Sequence, residues 1–125
     1  MDSVVHFEIP FDDKQRAMQF YTDAFGWQLM DMPQMNYVMA MSAEVDDKQM
    51  PKAPGAINGG LNQRPKEAPH PVIYVSVRSV DDTIQKVQAA GGNVVTPKTP
   101  IPGMGAYARV GDTEGNVIGL FQSHE

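Results

Sequence analysis

The chain carries one pattern twice, and this repeat limits the fold more than any other feature. Residues 4–27, VVHFEIPFDDKQRAMQFYTDAFGW, return in weaker form at residues 72–94 as VIYVSVRSVDDTIQKVQAAGGNV. In the first copy Val4, His6 and Glu8 alternate with Val5, Phe7 and Ile9, the two-face period of a strand; Pro10, with no N–H for a ladder, is expected to end it. Asp12 and Asp13 suit a helix N-cap, Ala17, Met18, Tyr21, Ala24 and Phe25 recur at helical spacing, and Gly26 suits the left-handed helix exit. In the second copy Asp81 or Asp82 is the expected cap, Ile84, Val87 and Ala90 form the stripe, and Gly91 and Gly92 close it.

Between and after the copies the sequence reads as short strands. Residues 27–32 and 37–41 form a hairpin around a turn at 33–36, residues 43–54 an exposed loop, and residues 55–63, GAINGGLNQ, a glycine-weakened strand in which Gly59 and Gly60 mark a bulge or a close backbone approach. The proline-rich stretch 64–71 is the linker between modules 1–63 and 72–125 of a single domain. Asn93 to Val95 resume a strand. PKTPIPGMG, residues 97–105, with three prolines and two glycines, reads as a rigid loop without a regular element, and residues 106–110 and 116–122 are the last strands, joined by a tight turn. Each half thus reads strand, helix, three strands: an α+β protein of two tandem βαβββ modules.

A length of 125 residues with 42% hydrophobic content supports one core or two small half-cores. A net charge of -5 without a basic cluster argues against nucleic acid or an anionic membrane as partner. Without cysteine there is no disulfide, thiolate nucleophile or cysteine metal ligand, and the N-terminus has no secretory pattern, so a cytoplasmic location is expected.

The repeat together with HFEIPFDDKQRAMQFYTDAFGW, INGGL, PKTPIPGMG and DTEGNVIGLFQ resembles the vicinal-oxygen-chelate superfamily, the glyoxalase, bleomycin resistance protein and extradiol dioxygenase group, and within it small glyoxalase-like proteins of undefined activity. Thr113 stands where such proteins often have proline. The resemblance implies curved sheets forming a cup that holds the site. It also implies four metal-ligand positions, on the first and last strand of each module, for an octahedral divalent ion that the substrate's paired oxygens chelate. Carried onto this chain, these positions fall on His6, Val72, Gly60 (less securely Gly59) and Gly119, so three of the four cannot coordinate. A two-residue shift would offer His6, Glu8 and His70, but Pro71 and the spacing to Gly91 oppose it.

The expected function is therefore binding of a small organic molecule without the usual divalent metal and with no other cofactor; the alternative is a metal-dependent glyoxalase-type lyase or isomerase. His6 and Glu8 are the clustered titratable pair, candidates for proton transfer. Tyr37, Gly60, Val72, Tyr74, Met104 and Gly119 are the expected ligand-binding residues: the glycines enlarge the cavity, Val72 makes an apolar floor, and Met104 sits in a covering loop. Met30, Met32, Met35, Met39 and Met41 suit a deformable lining or an ordinary core. Tyr74, Tyr37, Trp27 and Tyr107 otherwise read as core packing. Glycine-rich edges predict a homodimer.

Overall fold

The computed structural model describes residues 1–124 and divides into two compact units. One comprises His6–Pro71; the other joins Met1–Val5 to the chain from Val72, with the Ser3 carbonyl accepting from the Ser76 amide at 2.9 Å. The first βαβββ set is β1 (Val4–Phe11), α1 (Lys14–Phe25), β2 (Gln28–Met32), β3 (Tyr37–Met41) and β4 (Asn58–Gln63); the second is β5 (Val72–Ser76), α2 (Val80–Ala89), β6 (Asn93–Ile101), β7 (Gly105–Gly111) and β8 (Val117–Ser123). The α+β reading of the repeat is the observed architecture. No helix among the described residues is long and apolar enough to cross a membrane.

In the first unit the strands run in the order β2-β3-β4-β1, β1 parallel to β4 and the others antiparallel. Alternation sends Phe11, Val38, Ala40 and Leu61 to one face, where they form a buried core with Ala17 and Met18 of α1 and with Tyr21. Asp13 caps α1 by accepting from the Arg16 amide at 3.0 Å, and Gly26, at φ 69°, ends it. Asp12 is not the cap; it pairs with Arg64 at 2.9 Å. Pro10 does not end β1, which continues to Phe11, whose carbonyl accepts from the Arg64 amide. Phe25, expected in the core, is 61% exposed, and Ala24 is exposed with it. Phe25 instead meets the Phe20, Tyr21 and Trp27 rings.

In the second unit the order is β5-β8-β7-β6, and Val77, Val80, Ala108, Val110 and Leu120 form the core with Ile84 and Val87 of α2. Ser79, not Asp81 or Asp82, is the N-cap, accepting from the Asp82 amide; the two acids occupy the first turn, where they face the positive helix end. Ala90 is exposed at the helix exit, outside the stripe. The segment PKTPIPGMG is largely strand: β6 reaches Ile101 and pairs with β7, its ladder shifting register between Val94 and Thr96 and between Thr96 and Thr99. Because β6 ends the strand order of its unit, prolines at Pro97 and Pro100 need no N–H for a second neighbour. Only the turn after Ile101, carrying Gly103 and Met104, is loop.

Candidate functional site

The sheet face of the first unit turned away from α1 carries a grid of side chains in register. One row runs Met32, Tyr37, Asn62, Pro10; the next runs Met30, Met39, Gly60, Glu8; His6 and Asn58 pair one step further along. Tyr37 crosses from β3 to β1 so that its hydroxyl lies 2.9 Å from His6 Nε2. Its ring passes directly over Gly60, and a Cβ there would fall inside the phenol. On the opposite face the Phe7 ring and carbonyl lie against Gly59, and the ladder register is unbroken through both glycines. The glycine pair therefore serves close approach, not a bulge. Gly60 does not leave open space, as expected from its volume; the phenol occupies that space.

Burial pushes the His6 imidazole below its ordinary pKa, with the Glu8 charge opposing that shift. A neutral imidazole can share one hydrogen with Tyr37 in either tautomer. A protonated one can only donate, which forces the phenol to accept and to turn its own hydrogen elsewhere. His6, Tyr37 and Gly60 are thus brought together, with Glu8 beside Gly60 in the ladder.

The second unit repeats the device in the other direction. Tyr74, 3% exposed, lies on β5 opposite Gly119 of β8, its ring over the glycine so that a Cβ there would meet it. The Tyr74 hydroxyl accepts from Nε of Arg109 on β7 at 3.1 Å. Arg109 is 8% exposed; it also reaches the Thr96 hydroxyl at 3.4 Å and stacks over the Tyr107 ring at 5.3 Å. Val72 is buried on the same strand face as Tyr74. Met104 does not join Tyr74 and Gly119: it is 55% exposed in the β6–β7 turn, beyond the Gly105–Ser123 end of the ladder. Sequence reasoning missed Arg109. Its signal was parity, since in AYARVG it shares a face with Tyr107 and in the ladder it faces Gly119.

Residues 3–41 match a family model described as "Bleomycin resistance protein-like N-terminal". The Mycobacterium bovis protein named "Putative glyoxylase CFP32" is 32% identical over 117 residues, covering 90% of this chain and 42% of that protein. The lactoylglutathione lyase of Haemophilus influenzae is 24% identical over 103 residues, 80% of this chain and 76% of that one. A glyoxalase/bleomycin resistance protein/dioxygenase superfamily member from Vibrio splendidus shares the fold at TM-score 0.64 and 12% identity, with 99% of this chain and 100% of that one covered. Residues 3–41 thus resemble the bleomycin resistance protein-like family, and the chain has the fold of the glyoxalase/bleomycin resistance protein/dioxygenase superfamily member. It spans about two fifths of the length of the mycobacterial relative.

The chelate of metal-dependent superfamily members does not fit this donor set. Of the four positions only His6 offers a donor, and its Nε2 is engaged by Tyr37; Gly60 and Gly119 lie beneath tyrosine rings. The shifted set of His6, Glu8 and His70 is not assembled, because no three His, Asp or Glu side chains among the described residues converge closely enough to hold an ion. A groove of about 330 Å³ lies on the helix side, between Phe11, Asp13, Arg16, Phe20 and Arg64, on the opposite sheet face from His6.

Proposed function

We propose that this protein is a glyoxalase-like superfamily member that binds a small organic molecule over the face bearing His6, Glu8 and Tyr37, with His6 and Tyr37 orienting or protonating a polar group and no divalent metal involved. The observation that supports this is the phenol lying over Gly60 and bonded to His6, where the metal-dependent pattern needs a carboxylate and a free imidazole. In the second unit the buried Tyr74 and Arg109, bonded to each other beside Val72 and Gly119, are assigned to holding the module instead of to the ligand.

Metal analysis by mass spectrometry on untagged protein, followed by thermal unfolding with added nickel or zinc, tests the reading. It expects substoichiometric metal and an unchanged melting temperature. The likeness to the Haemophilus lyase favours a second reading, metal-dependent lyase chemistry. Turnover of the hemithioacetal of methylglyoxal and glutathione that stops on adding chelator would establish that reading instead. We also propose a homodimer, because Phe20 and Phe25 stand 56% and 61% exposed side by side on α1. Light scattering at micromolar concentration should give twice the chain mass, and a monomer mass would refute it.

A further inference from the structure

The His6–Tyr37 bond has an oxidisable neighbour, Met39. It shares a face of β3 with Tyr37, while Val38 and Ala40 turn to the core, and it is 37% exposed. In the ladder Met39 faces Gly60, and a Cβ at Gly60 would fall on the Tyr37 hydroxyl. Opposed residues of antiparallel strands hold their Cβ positions about 5 Å apart, so the Met39 Cβ is about that far from the hydroxyl that meets His6 Nε2. The Met39 sulfur lies two bonds further out on an unbranched, freely rotating chain, which brings it within reach of the phenol. As a thioether it is only a weak acceptor and leaves the hydroxyl to the imidazole. Met30, across the ladder on β2, is 53% exposed but stands one strand further from the phenol.

We infer that Met39 is a site of oxidation by hydrogen peroxide, and that its sulfoxide takes the Tyr37 hydrogen away from His6. The sulfur lone pair attacks one peroxide oxygen. An S–O bond forms as the O–O bond breaks, sulfur gives up two electrons, and the leaving hydroxide takes the proton of the transferred oxygen and departs as water. The product carries a dipolar oxygen, a far better acceptor than the thioether, one bond beyond the sulfur on the same face. The phenol has a single hydrogen to give. Once the sulfoxide accepts it, the phenol oxygen only accepts from His6, so the neutral imidazole must carry its hydrogen on Nε2. Oxidation thereby turns His6 from an acceptor toward Tyr37 into a donor, and sulfoxide reductases reverse the change. The switch acts on the His6–Tyr37 bond itself and needs no ligand on the face.

The full chain, labelled with nitrogen-15 in its three histidines, is treated with dilute hydrogen peroxide, and peptide mass spectrometry reports which methionines have gained oxygen. With Met39 oxidised, the His6 Nε2 signal should move upfield to the protonated end of the imidazole range at constant pH, while His70 and His124 stay in place. Methionine sulfoxide reductases should restore the original signal. Met39→Leu, which keeps an apolar side chain of similar volume, should abolish the response, and Met30→Leu should retain it. Tyr37→Phe, without the phenol hydrogen, should leave oxidation nothing to move. A Met39 that stays reduced while Met30 and Met104 are fully oxidised overturns the inference. So does an unmoved His6 signal beside confirmed Met39 sulfoxide, a response lost in Met30→Leu, or one that survives in Met39→Leu or Tyr37→Phe.

Discussion

The two modules use the same glycine and tyrosine contact in opposite directions. In the first, the ring comes from β3, crosses Gly60 and ends on His6 of β1; in the second it comes from β5, crosses Gly119 and ends on Arg109 of β7. The first leaves Met30 and Met39 exposed on the face of a half-buried histidine, and the second buries a cation almost completely. A duplicated backbone thus fixes where a side chain must be absent without fixing which strand fills the gap. The module that opens its face has the groups suited to reaction, and the module that closes its face has the groups suited to holding a structure.

Adding a methyl to each glycine should break the symmetry most visibly. Gly119→Ala pushes against a ring fixed in the core and should cost about 3 kcal/mol, whereas Gly60→Ala meets a phenol that can swing outward and should cost nearer 1 kcal/mol. Urea denaturation measures both, and equal costs would show Tyr37 to be as confined as Tyr74. Removing the hydroxyls comes next. Tyr74→Phe takes an acceptor from a buried guanidinium and should lose about 2 kcal/mol, and Tyr37→Phe about 1 kcal/mol.

A smaller effect separates the modules by pH. Because burial sets the folded pKa of His6 below its ordinary value of 6.5, the unfolded chain binds the extra proton first. The stability due to neutral His6 is complete above pH 6.5 and is lost as pH falls through the interval down to the folded value. His6→Gln should flatten the stability profile there. Asp12 and Asp112, held below the carboxylate range by hydrogen bonds from Arg64 and from Asn116 respectively, lose their contributions only under more acidic conditions. A profile unchanged by His6→Gln would move the burial effect to another group. Smallest of all, Phe25→Ala should cost less than about 1 kcal/mol by thermal unfolding at dilutions where the chain is monomeric, against the 3 to 5 typical of a buried phenylalanine; a large loss there would mean that the aromatic cluster on α1 is structural.

Much of this was legible beforehand. The strand and helix periods, the Asp13 cap, the Gly26 exit and the placement of His6, Tyr37 and Tyr74 on strands follow from local rules about spacing, caps and turns. What was not legible depended on neighbours. Phe25 keeps helical spacing with Met18 and Tyr21, yet spacing cannot tell which positions of the stripe the sheet covers. Prolines in 97–105 argue against a strand unless that strand is an edge, and edge status is a property of the assembled sheet. Ser79 was hidden by the two acids that follow it. The glycines were read as empty space because the sequence does not say which ring will lie over them.

The covered glycines also constrain the history open to this chain. Placing a carboxylate at position 60 or 119 in one step would drive it into a tyrosine ring, and removing the tyrosine first would leave His6 or Arg109 without a neighbour it now uses. Each single change is costly, and only the pair relieves the clash. Substitutions at these positions are therefore epistatic, a side chain at 60 or 119 being accommodated only once the ring above it has moved or gone.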